Sequence, residues 1–302
     1  MPTAERALLH RGGRRGTWGS LGLWHDQADD YAQACEALAR AVGAAAGIEP
    51  GERVLSIGSG AGDELLLWAL GFGATEVWGV ERDPLLVAAA QRLVQRTPLP
   101  PGTAVHVLAG DAAQLGPLAL PRRHFDRIVC VDAAYHLSPR GPFLRSLTGL
   151  LRPGGRFAMT DLTLGPPTRL GWGWLLRAAA RLAGVPRRDL LPLPAQMARL
   201  RSAGFADVQS LALDATVLDG FARHVRRQGP MVARTALHPD WRRPGVTARL
   251  IGPCRAAGLG YALLSGAVPS SAEPTPRPTP KAEATASAER TALSSKGTPV
   301  SA

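Results

Sequence analysis

The sequence predicts an α/β protein built on a doubly wound, mostly parallel sheet. Two observations carry that expectation. Short β-type runs alternate with helical patterns through the middle of the chain, which is the signature of strand–helix–strand units. The first of those runs ends in glycines, in "VLSIGSGAGDE" (54–64), where the chain turns back as a helix. In a doubly wound sheet, ligands bind beyond the carboxyl ends of the strands, so this turn is the first candidate binding element.

The elements follow in order. Residues 29–46 place Tyr31, Cys35, Leu38 and Val42 at helical spacing and predict an amphipathic helix ahead of the sheet. "RVLSIG" (53–58) is a short buried strand, and "DELLLWALGFG" (63–73) is a helix closed by glycine. "TEVWGVE" (75–81) is the second strand. Pro84 opens a helix through Arg96, because proline suits the first helical turn. "TAVHVLAGD" (103–111), "FDRIVCVD" (125–132) and "GRFAMTDL" (155–162) are three further strands, with a helix over 139–151 stopped by "RPGG". "GFADVQSLAL" (204–213) and "LGYALLSGAV" (259–268) complete the set. Residues 1–28, with Trp18 and Trp24 among glycines, read as an N-terminal lid, and 29–268 as the main domain. Helical cap insertions are expected at about 166–200 and 214–257. From 269 to 302 large apolar residues almost vanish, so this tail is expected to be disordered.

Composition limits the functions available. The chain has 302 residues, and a hydrophobic fraction of 45% suffices for a core. No apolar run reaches the ~20 residues that span a bilayer. The N-terminal stretch lacks a signal peptide's apolar region, and Cys35, Cys130 and Cys254 show no paired spacing. A cytoplasmic location with reduced thiols is the expectation. The net charge of +11 invites a nucleic-acid reading. However, all basic residues but Lys281 and Lys296 are arginine and are scattered along the chain, which fits a biased composition better than a binding stripe. The histidines show no metal spacing, so no metal site is expected.

The glycine turn can be narrowed by elimination. It reads G-x-G-x-G, without the third glycine of the dinucleotide fingerprint and without the lysine of a phosphate loop. Asp63 and Glu64 stand where a phosphate would meet the helix N-terminus. Glu81 closes the second strand and suits two ribose hydroxyls; Asp111 closes the third and suits an adenine amino group. These features outline a nucleoside without phosphates, and S-adenosylmethionine fits. Here the sequence resembles the class I S-adenosylmethionine-dependent methyltransferases, well over 50–165 and more loosely over 18–268. "VLSIGSGAGD" is similar to their first motif, "GVERDP" to the ribose motif, "GDA" to the adenine motif, and "LRPGGRFAMTDL" to the strand after the catalytic loop. The resemblance implies a seven-stranded Rossmann-like sheet whose last strand is antiparallel. It also implies that Gly58, Ser59, Gly60, Gly62, Glu81, Arg82, Asp111, Ala112 and Asp132 hold the cofactor. One position departs from the family: Ser56 stands where an acid usually orders the glycine loop and helps to hold the cofactor's amino group.

The chemistry is expected after the fourth strand, in "DAAYHLSPRG". Asp132 is followed by two alanines, so the [DN]PP[YF] signature of nucleic-acid amino methyltransferases is missing. His136 suits the removal of a proton from a hydroxyl, and Asp161 at the end of the fifth strand is expected to support it. This pairing is similar to that of small-molecule O-methyltransferases of natural-product pathways, with sterol and tocopherol C-methyltransferases as relatives. Trp24, Tyr135, Trp172 and Trp174 are candidate substrate contacts. The insertion over 168–194 is apolar and studded with arginine, so it reads as a substrate cap, a membrane-surface contact or simple core packing. Methylation of carbon or nitrogen on a lipid-like molecule, RNA methylation, and cofactor binding without catalysis are the alternatives to O-methylation.

Overall fold

In the computed structural model, residues 16–25, 30–168, 171, 173–232 and 242–270 are described. The expected tail beyond 270, the lid's first fifteen residues and Trp172 lie outside them. The described residues up to Pro269 form one compact unit. A single seven-stranded sheet runs through it in the order β3-β2-β1-β4-β5-β7-β6. Its strands are β1 (Arg53–Ile57), β2 (Glu76–Glu81), β3 (Ala104–Ala109), β4 (Phe125–Cys130), β5 (Leu151–Leu164), β6 (Ala206–Ala212) and β7 (Leu259–Ala267). All pairs from β3 to β5 are parallel, and β7 is antiparallel to both of its neighbours. Each strand overlaps the run that the sequence assigns to it.

Two differences have local causes. The fifth strand begins at Leu151, earlier than expected, because Phe125 pairs with Leu151 before the register shifts across the "RPGG" turn. The helix expected over 63–73 is regular only over Asp63–Leu66 (α2) and widens to a π-type turn over Leu67–Gly71. That widening seats Trp68, which is fully buried.

Both faces of the sheet are covered, so successive residues along a strand enter different cores. Val54, Val129, Ala158, Tyr261 and Leu263 face α1 (Tyr31–Ala46), Trp68 and the later helices α7 (Gly220–Val232) and α8 (Arg242–Ala256). Leu55, Ile57, Ile128, Cys130, Phe157 and Met159 face α4 (Arg140–Leu150) and α6 (Leu193–Ser202). Helix α1 is amphipathic, as its spacing predicts. Asp30 caps it by accepting from the Ala32 amide at 2.8 Å, and Gly47 closes it in the left-handed region. Helix α3 (Pro84–Arg96) starts with proline in its first turn and is capped by Asp83. Helix α5 (Gly173–Leu182) belongs to the insertion after β5. The three cysteines are free and buried. Among the described residues no helix is long and apolar enough to cross a membrane.

Helix α1 approaches the π-type turn so closely that its Gly43 has no room for a side chain. A Cβ there would sit 2.7 Å from both Trp68 and Phe72. Gly149, in α4, would meet only the end of Arg122 at 3.6 Å. Alanine gains about 1 kcal/mol of helix propensity at either position, but overpacking at Gly43 costs about 1–3 kcal/mol. Urea denaturation should therefore show Gly43→Ala destabilised and Gly149→Ala unchanged or stabilised.

Candidate active site

The strand order reverses between β1 and β4, and a cavity of about 330 Å³ opens at their carboxyl ends. Its floor is the glycine turn. Gly58, Gly60 and Gly62 all have positive φ, at 74°, 57° and 99°. A Cβ on Gly58 would lie 2.6 Å from Ala133, so the first glycine lets the turn pass under the end of β4. Gly62 does not line the cavity: a Cβ there would lie 3.0 Å from Ala90 of α3, so its part is helix packing. It thus fills the close-packing role of the third dinucleotide glycine by other means. Ser59 lines the cavity, and its buried hydroxyl has no hydrogen-bond partner among the described residues.

The strand-end acids stand where the sequence places them. Glu81 accepts from the Gly60 amide at 3.0 Å and from the Arg82 and Asp83 amides at 2.9 Å. These bonds fix the carboxylate: Oε1 takes two amides and Oε2 one, so one acceptor site, on Oε2, remains for a hydroxyl donor. Asp111 accepts from the Ala113 amide at 2.9 Å, which turns the chain beside Ala112. Arg82, Asp111 and Ala112 all line the cavity.

At the end of β4, Asp132 has a φ of 53° and joins a buried polar network that the sequence reading missed. Its carboxylate accepts from the Leu21 amide at 2.7 Å and from the Tyr261 hydroxyl at 2.6 Å. Tyr261 lies 2.9 Å from the Thr160 hydroxyl, and Thr160 in turn accepts from the Asp132 amide at 2.8 Å. No local signal marks Tyr261, because it reaches the site only through the pairing of β7 with β5. Asp132 also anchors the N-terminal segment. Residues 17–21 form one wall of the cavity, with Thr17 bonded to Asp63 at the other end. Burial pushes the Asp132 carboxyl up to about 6, against the hydrogen bonds that favour its charge.

The expected pairing of His136 with Asp161 is not formed. Tyr135 and His136 lie on the cavity wall, in a short turn over Ala134–His136. Asp161 is 1% exposed and belongs to the Arg140 guanidinium, which lies 3.0 Å from one oxygen and 3.2 Å from the other. The reason is the parity of β5: Asp161 shares its face with Phe157 and Met159, beneath α4, and Arg140 opens that helix. Arg140 also donates to the Ala134 carbonyl, so the ion pair supports the turn that carries His136. Burial nevertheless raises the Asp161 carboxyl to about 6. Trp24 is also placed differently from its expected role. It is buried, stacks on His224 with ring centres 4.4 Å apart, and does not line the cavity. Trp174 lies on the outer surface of α5, 62% exposed. Among the described residues no group of side chains could hold a metal ion.

Two tests follow from these networks. Asp161→Ala leaves a buried guanidinium without its counter-ion, and denaturation should show a loss of about 3–5 kcal/mol. Asp132 has a folded pKa above the ~3.9 of an unfolded aspartate, so its contribution to stability is full below that value and disappears as pH rises through about 6. The stability of wild type relative to Asp132→Asn should therefore decline between pH 4.5 and 7.5.

Comparison with known proteins agrees with this geometry. Residues 55–159 match a family model described as a methyltransferase domain. The chain is 27% identical over 215 residues to erythromycin 3''-O-methyltransferase of Saccharopolyspora erythraea, covering 70% of this chain and 69% of that one. Its fold is similar to the mycolic acid cyclopropane synthase CmaA1 solved with S-adenosylhomocysteine (TM-score 0.70, 16% identity, 88% of this chain and 94% of that one). It is also similar to phosphoethanolamine N-methyltransferase 2 of Haemonchus contortus, solved with S-adenosylhomocysteine (TM-score 0.64, 18% identity). That match covers 77% of this chain but only 52% of the nematode chain. The cavity fits S-adenosylmethionine, the cofactor of this enzyme: the turn presents backbone where a side chain would clash, Ser59 presents an unsatisfied hydroxyl, and carboxylates stand at the strand ends. With that cavity, this sheet order and a family model matching residues 55–159, the chain carries a methyltransferase domain of the S-adenosylmethionine-dependent kind.

Proposed function

We propose that the enzyme methylates a hydroxyl group of a small molecule, with His136 as the general base. When bound, the cofactor supplies an electrophilic methyl group on a sulfonium. What remains for the protein is to hold the acceptor in line and remove its proton. The observation that carries the reading is the position of His136. It stands on the cavity wall between the end of β4 and the insertion after β5, where the backbone of Gly184 hydrogen-bonds it. Burial, with Arg82 and Arg140 nearby, lowers its pKa below the usual histidine value. The imidazole is then neutral at pH 7 and able to accept a proton. Asp161, engaged by Arg140, supports this base through the backbone turn and not through the ring. The likeness to an O-methyltransferase over most of the fold supports oxygen as the acceptor atom.

A second reading, a lipid-like acceptor methylated at carbon or nitrogen, draws on α5. Trp174 and Leu182 are exposed there beside Arg177 and Arg181, as on helices that rest against a membrane surface. A panel of glycosides, phenols and lipid alcohols decides between the two by which class turns over. With a hydroxyl acceptor, His136→Ala should lower the methyl-transfer rate by about 10²–10⁴ while affinity for S-adenosylhomocysteine is kept. The wild-type rate should be level above pH 7 and fall on the acid side through a pKa below 6.5. A variant that keeps its full rate across that range would exclude the histidine as base.

A further inference from the structure

We propose that helices α5, α7 and α8 form a face that docks on anionic lipid membranes, with Trp174 and Leu182 entering the headgroup layer. The proposal concerns binding alone and holds whichever atom accepts the methyl group. It starts from charge. Arginines are scattered along the sequence, but the fold brings nine of them onto three adjoining helices. Helix α5 (GWLLRAAARL), helix α7 (GFARHVRRQGPMV) and helix α8 (RRPGVTARLIGPCRA) contain those nine and none of the chain's 24 acidic residues. Helix α8 packs against both α5 and α7. Arg177, Arg181, Arg223, Arg226 and Arg249 are exposed on them. The acids closest in sequence are engaged elsewhere. Asp219, in the turn before α7, lies 3.0 Å from Arg255. Asp189, the one acid between 166 and 200, is buried and bound to Arg199 at 2.6 Å.

Helix α5 is apolar on two sides. Its inner side, with Leu176 and Ala179, packs with Cys254 and Ala257 at the end of α8. Its outer side carries Trp174, Ala178 and Leu182 four residues apart, which is one stripe of a helix, with Arg177 and Arg181 beside it. Trp174 is 62% and Leu182 72% exposed, and Val246 of α8 is exposed as well. Apolar side chains gathered in the open mark an interaction surface. Its occupant must take cations and apolar groups together. An anionic leaflet does both: its phosphates meet the guanidinium groups while the indole and the leucine enter the layer beneath. A second copy of this chain would bring like charges together. RNA would answer the arginines but leave Leu182 and Val246 without a partner. The location also fits. Strands β5 and β6 end, and β7 begins, at the sheet edge where the cavity opens; α5 and α7 follow the first two and α8 precedes the third. Docking on this face brings the membrane to that edge, and the insertion that carries α5 reaches the cavity wall through Gly184.

Flotation of the full chain with lipid vesicles tests this without any turnover. Vesicles of phosphatidylglycerol and phosphatidylcholine in equal parts should carry the protein, less so as salt is raised, and vesicles of phosphatidylcholine alone should not. A basic residue at an anionic surface is worth about a factor of five, so Arg177→Gln/Arg181→Gln should weaken binding by about tenfold or more. Trp174→Ser/Leu182→Ser keeps the charge and should weaken it by about tenfold or more as well. Arg92→Gln/Arg96→Gln removes the same charge from α3, which packs beside β2 and β3 at the other end of the sheet, and should bind like wild type. All these side chains except those under test stay as they are, and thermal melting checks that each variant folds. His136→Ala should also bind vesicles like wild type, so failure of the base assignment and failure of the docking face are read separately. Equal binding to both lipid compositions, or full binding by the variant lacking Arg177 and Arg181, overturns the proposal. So does retention of single-stranded RNA in place of vesicles. A dimer that Trp174→Ser/Leu182→Ser abolishes, while vesicles stay unbound, overturns it too and makes a second copy the occupant.

Discussion

The site depends on one constraint of topology: β1 lies between β2 and β4, so the connections on its two sides lead away from each other. That divergence leaves a crevice at the carboxyl edge, and everything that binds must be delivered there by the ends of four strands. The crevice is narrow at its base. The side chain of Ala133, just past β4, lies 2.6 Å from where a Cβ on Gly58 would be, so the turn can pass only with glycine at that position. The positive φ values of Gly58, Gly60 and Gly62 are thus a consequence of strand order, and the carboxylates are what the turn then has around it.

Those carboxylates are held by opposite strategies. Glu81, half-buried, and Asp111, exposed, are bound to backbone amides, an arrangement compatible with accepting from a neutral sugar or base. Asp132 and Asp161 lie deeper, and in both, burial outweighs the partners that favour the charge. A buried ion pair is weak evidence of stability, since desolvation offsets much of the attraction. Arg140 and Asp161 are better understood as a clamp. The guanidinium joins the start of α4, the carbonyl of Ala134 and the end of β5, and so sets the position of the short turn that presents His136.

The strands, the glycine turn and the strand-end acids were legible because each depends on a local pattern: periodicity, glycine spacing, or an acid closing a run. Glu81 and Asp111 needed nothing beyond their place at a strand end. What escaped the sequence depends on parity and on distant pairing. Asp161 and His136 lie 25 residues apart and both near the same sheet edge, which favoured a pairing. Only the alternation of β5 shows that Asp161 turns beneath α4, where Arg140 waits. Tyr261 enters the site by an antiparallel pairing across nearly a hundred residues, and nothing near it in sequence carries that information. Trp24 was misplaced for a related reason: an aromatic among glycines looks the same whether it lines a mouth or closes a core. Here it lies against Gly220, where a Cβ would come within 2.4 Å of it.

Acceptor choice is set by parts of the chain that the cofactor machinery leaves free. Proteins of similar fold are named for an oxygen acceptor, a nitrogen acceptor and cyclopropane formation, so sheet order and glycine turn do not select the atom. Selection must come from what overlies the cavity. The end of β4 contributes Tyr135 and His136, and the insertion after β5 reaches them through Gly184. That insertion is tied down on its inner side: Arg199 bonds Asp189 at 2.6 Å, Asp189 accepts from Ser138 at 2.6 Å, and Ser138 lies just past His136. Its outer side carries Trp174 and Leu182 into solvent. The insertion is thus anchored on one side to the turn that carries His136 and is apolar on the other. If His136 is the base, as proposed, then any change in the insertion that moves Gly184 also moves the imidazole, and acceptor fit and proton removal become linked through one hydrogen bond.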